Sequence, residues 1–147
     1  AIAVMRKALE ADGASVKVLA PRLGDIIGLD GKAIKVDHSL PTTSSVVFDA
    51  VFIPGGKQSV ETLCADANAV LFVKEAYKHG KAIAAGDEGE TLVSTAARSG
   101  GAADGKFRGP GVVAGSKKIS DVFVKNFAEA IAKHRFPERP DIDAVIA

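Results

Sequence analysis

Asp49-Ala50-Val51-Phe52-Ile53-Pro54-Gly55-Gly56 and Lys81-Ala82-Ile83-Ala84-Ala85-Gly86-Asp87-Glu88-Gly89 are two short apolar runs that each end in glycine. Neither alternates polar with apolar residues, so each reads as a strand covered on both faces. Between them Asp66 is placed to cap a helix whose apolar face is Ala69, Phe72, Val73 and Ala76, with Gly80 at its end. Strand, helix and strand in that order predict a parallel pair joined by a crossover.

The same alternation extends outward. Downstream, Asp87-Glu88-Gly89-Glu90 has the Asp-x-x-Glu form of a capping box, which predicts a helix through Ala97 and a glycine-rich turn over residues 100 to 105. Gly111-Val112-Val113-Ala114 reads as a short strand. Ser120 is placed to cap a last helix with Phe123, Phe127, Ala130 and Ile131 on its buried stripe. Upstream, Val16 to Ala20 reads as a strand, and Asp30-Gly31 between Ile26-Ile27 and Ile34, Val36 predicts a small edge hairpin. Ile2, Met5 and Leu9 place a helix over Ala1 to Asp12, closed by Gly13. No capping residue or strand stands before that helix, so the pattern enters an α/β repeat halfway, and a first strand upstream of Ala1 is expected. The prediction is a three-layer αβα sandwich with a mainly parallel sheet over residues 1–135, followed by an irregular tail over 136–147.

Composition narrows the function classes. The 147 residues are 47% hydrophobic, enough for one core, and 19 Lys and Arg against 18 Asp and Glu leave a net charge of +1. That balance creates no field for nucleic acid or an anionic membrane, and no apolar run approaches the ~20 residues that span a bilayer. A soluble domain is expected, with no nucleic-acid or membrane partner. The lone cysteine, Cys64, forms no internal disulfide, so the compartment, cytoplasmic or secreted, stays open.

Ligands of open parallel sheets gather at the carboxyl ends of the strands. Two loops qualify: Pro54-Gly55-Gly56, and the turn after Ala85, where a nucleophile elbow would hold its reactive side chain. With the quoted stretches, these loops resemble the two core motifs of the DJ-1/PfpI family, a class I amidotransferase-like, flavodoxin-like group. The second family motif resembles Lys-Pro-Val-Ala-Ala-Ile-Cys-His-Gly, so the cysteine position falls on Asp87 and the histidine position on Glu88. By this resemblance the elbow at Asp87, Glu88 and Gly89 is degenerate and no catalytic residue is assigned. Cys64 lies on the intervening helical segment, not at the elbow, and reads as a buried or half-buried thiol.

A narrower resemblance covers essentially the whole chain. Val73 to Lys81, together with Ala132-Lys133-His134-Arg135 through Ile142-Asp143, resembles the carboxyl-terminal domain of large-subunit haem catalases, where the elbow is generally degenerate. It implies a parent oxidoreductase that converts hydrogen peroxide to water and oxygen, a chemistry of oxidative stress. Its haem, distal His and Asn, and proximal Tyr would lie in an upstream core. It also implies, as partners, that core and the neighbouring subunits of a homotetramer.

Each candidate also has a structural reading. Asp87 and Glu90 are explained by helix capping, and a carboxylate nucleophile would need a nearby base. Gly55, Gly56, Gly86 and Asp87 either end strands or form a vestigial pocket whose amides hold a small anion. His79 and His134 sit beside cations in last helical turns and read as solvated; His38 has only Asp37 near it, so no metal is assigned. Tyr77, on an amphipathic helix, is expected to pack its ring, and no cofactor is assigned here. Three functions follow: an accessory domain stabilising its parent, an ATP-independent holdase for unfolded clients when isolated, and a residual amidase, protease or glyoxalase.

Overall fold

Helices and strands alternate along the chain as its apolar pattern dictates. The computed structural model describes residues 1–28, 30–102, 106–115, 118–139 and 145. Helix α1 (Ile2–Ala11) is followed by β1 (Leu19–Ala20), the strands β2 (Gly24–Ile27) and β3 (Ala33–Val36), and β4 (His38–Ser39). Then come β5 (Ala50–Ile53), α2 (Lys57–Cys64), α3 (Ala67–Lys78), β6 (Ala82–Gly86), α4 (Gly89–Gly100), β7 (Val112–Gly115) and α5 (Asp121–Lys133).

The main sheet is parallel, in the order β5-β6-β7, with Ile53 opposite Ala85 and Gly86 opposite Gly115. Every residue of β6 is buried. Alternate side chains serve opposite faces: Ala82 and Ala84 join the cluster of Met5, Leu9, Phe123 and Phe127 from α1 and α5. Ile83 and Ala85 join Val73, Tyr77, Val93 and Ala96 from α3 and α4. Helices thus cover both faces, giving the expected three-layer α/β sandwich. Asp66 caps α3 through bonds from the amides of Asn68 (2.8 Å) and Ala69 (3.1 Å), and Ser120 caps α5 by accepting from Phe123 (3.2 Å).

The first third departs from the expected strand. Only Leu19 and Ala20 form a ladder, parallel with His38 and Ser39, because the Val18 amide donates to the Asp37 carboxylate (2.8 Å) instead of to a strand. That bond, with Lys17 and Arg6 nearby, holds the Asp37 carboxyl below its ordinary range. The hairpin forms where expected, pairing Ile26 with Ile34 and Gly24 with Val36, but as a ladder of its own that packs on Val18 and Ala20. No strand among the described residues joins β1 to β5. Helix α4 runs three residues past Ala97, and Gly101 closes it with φ 82°; residues 103–105 of the expected turn lie outside the described part.

Beyond α5 the described residues have no regular structure, yet Phe136, Arg139 and Val145 are buried; Ile142 and Asp143 lie outside the described residues. Arg139 donates to the carbonyls of Pro110 (2.9 Å), Tyr77 (3.1 Å) and Lys81, and its guanidinium lies 4.9 Å from the Tyr77 ring centre. Burial pulls its pKa down to about 10. One side chain thereby ties the segment after α5 to the end of α3 and the start of β6. The Tyr77 carbonyl keeps the Gly80 amide (3.0 Å), but truncation removes the side-chain donor from the Pro110 and Lys81 carbonyls, each loss costing about 1–3 kcal/mol. Arg139→Ala is therefore expected to lower stability by roughly 3 kcal/mol or more, read as a shifted urea midpoint with unchanged slope.

Candidate functional site

Register places the two glycine loops side by side. Because Ile53 pairs with Ala85, the chain leaves β5 and β6 at the same edge, and Gly55, Gly56, Gly86 and Asp87 converge there. A Cβ on Gly55 would stand 2.9 Å from Glu88 Oε2 and 3.2 Å from both the Asp87 Cβ and the Gly86 carbonyl. One on Gly89 would stand 2.6 Å from the Ile53 carbonyl oxygen, so glycine is required for this contact between helix α4 and strand β5.

Asp87 has φ 43°, one of two non-glycine residues with positive φ among those described. An L-residue pays about 1–2 kcal/mol for left-handed backbone, and a sharp strand-to-helix turn imposes it here. The turn from β6 into α4 is therefore left-handed at Asp87. Its amide donates to the Gly115 carbonyl at 3.1 Å, fixing the turn to the end of β7.

The decisive contact is made by Glu88. Its Oε2 accepts from the Gly56 amide at 3.0 Å, across the gap between the two loops. Gly56, with φ 117°, is the N-cap of α2, so the carboxylate lies at a helix amino terminus where an anion is favoured. The amide that heads α2 is thus bonded by a side chain of the protein itself. The capping box expected from Asp87 and Glu90 is replaced: Glu88 is the N-cap of α4, without a side-chain cap, and the Glu90 amide donates to the Asp87 main-chain carbonyl at 3.2 Å. The left-handed turn at Asp87 starts the helix one residue later than the sequence pattern suggests, and Glu88 reaches across to Gly56.

With this geometry established, the comparisons are decisive for family. Residues 1–141 match the model of the C-terminal domain found in long catalases. The chain belongs to that family. It is 39% identical over 137 residues to Catalase HPII of Mycobacterium avium, covering 89% of this chain and 19% of that protein. It is 33% identical over 135 residues to Catalase HPII of Pseudomonas aeruginosa, covering 92% and 18%. The chain thus spans about a fifth of the length of these curated relatives. Among solved structures, a ThiJ/PfpI domain protein from Brachyspira murdochii matches with a TM-score of 0.69 at 22% identity, covering 88% of this chain and 84% of that one. A two-domain protein from Anabaena variabilis, with DJ-1/ThiJ/PfpI-like and ferritin-like domains, matches with a TM-score of 0.70 at 22% identity, covering 88% and 42%. These likenesses establish the DJ-1/PfpI-like, flavodoxin-like fold of the catalase domain.

The remaining candidates lie away from the elbow. Cys64 is half-buried at the end of α2 opposite Gly56, accepting a hydrogen bond from Thr95 Oγ1 at 3.6 Å. His79 is exposed; His134, also exposed, lies 3.8 Å from the Asp49 carboxylate; His38 meets the Phe48 ring edge-on at 6.3 Å. Among the described residues no group of three or more His, Cys, Asp or Glu is arranged to hold a metal. Tyr77 packs as expected: its ring stacks on Phe107 at 4.0 Å and its hydroxyl donates to the Arg108 carbonyl at 3.0 Å. An open groove of about 550 Å³ runs between α1 and α5, lined by Val4, Ala8, Val124 and Ala128. The contact that closes the elbow was invisible in sequence, since nothing in the spacing pairs Glu88 with a glycine 32 positions earlier.

The closeness of α4 to β5 gives a direct test. Gly89→Ala forces a methyl against the Ile53 carbonyl and is expected to cost roughly 1–3 kcal/mol in urea unfolding. A change within 0.5 kcal/mol, the usual span of surface substitutions, would show that the contact has slack.

Proposed function

We propose that this chain is a non-catalytic accessory domain of a haem catalase, stabilising a parent that converts hydrogen peroxide to water and oxygen. The observation that carries this reading is Glu88 on the Gly56 amide. A thiol-dependent hydrolase of this fold needs a thiolate at the elbow and a free amide for the oxyanion. Here Asp87 stands at the elbow and Glu88 covers an amide beside it.

Tyr77 does not fit the part of a haem ligand. Tyr77, the chain's single tyrosine, is 1% exposed and stacked, and its hydroxyl is bonded to a main-chain carbonyl, so it offers no axial position in an open pocket. Haem and its ligands belong, on this reading, to the parent's core. The domain contributes instead by docking on that core and on neighbouring subunits, which adds to stability by linkage. Separated from them, it acts as an ATP-independent holdase. That activity draws on apolar side chains left in water, among them Val46, Val47, Ile27 and Val122, each more than 60% exposed.

Removing the domain from the parent catalase is expected to leave specific activity unchanged at ambient temperature while inactivation begins at lower temperature. Equal heat tolerance of the two forms would contradict a stabilising role. For the domain alone, light scattering from a heat-stressed client should fall to a plateau near equimolar domain, whereas an inert protein of equal mass leaves it unchanged. Turnover of an amide, a peptide or an α-ketoaldehyde that disappears in Asp87→Ala would instead establish a residual hydrolase or glyoxalase.

A further inference from the structure

We draw no further inference here: the strongest candidate, the open apolar groove between α1 and α5 lined by Val4, Ala8, Val124 and Ala128, carries nothing because nothing in the structure shows what covers it.

Discussion

The thinness of β6 is the constraint on which the rest of this domain depends. Ala82 and Ala84 project no more than a methyl group toward α1 and α5, Ile83 and Ala85 face α3 and α4, and each is at most 3% exposed, so helices settle closely on both faces of the strand. Close layers fix the register of β5 and β7 against it. They also bring the Gly55–Gly56 loop to within a van der Waals contact of the elbow, where Gly89 rests on the Ile53 carbonyl. Larger residues in the strand would separate the layers and, with them, the two loops. The interior packs too densely to absorb added methylenes without displacement.

From that contact follows the chemistry of the site. The strand-to-helix turn that carries Asp87 holds that residue in left-handed backbone. The carboxylate of Glu88 bonds to the amide that starts α2, so the helix terminus is neutralised from within the protein. At the opposite edge of the sheet Arg139 does comparable work on main-chain carbonyls, drawing the segment after α5 under the start of β6. Near both ends of the central strand a charged side chain is thus bonded to backbone groups.

Much of the fold was legible because it is written in local pattern. The apolar runs at 50–53 and 82–85, the caps at Asp66 and Ser120, and the Asp30-Gly31 hairpin all formed where residue chemistry put them. The failures have one cause: a side chain found a partner distant in sequence. Val16 to Ala20 reads as a full strand, but Asp37 takes the Val18 amide and leaves only two residues in a ladder. Asp87-x-x-Glu90 reads as a capping box, but the left-handed elbow starts the helix later and Glu88 turns to Gly56. The burial of Arg139, in what reads as a loose tail, is likewise set by carbonyls that only the folded sheet assembles. The convergence of Gly55, Gly56, Gly86 and Asp87 was readable from the strand ends; the group that fills their centre was not.

The central claim is that the elbow site is closed by the protein itself. It is tested most directly by following the Gly56 amide resonance while acetate or phosphate is added to the domain at neutral pH. A resonance that stays in place with the native chain, and moves saturably only in Glu88→Ala, is the predicted result. A saturable shift with the native chain would show that the amide is open to an external anion, and would contradict the account.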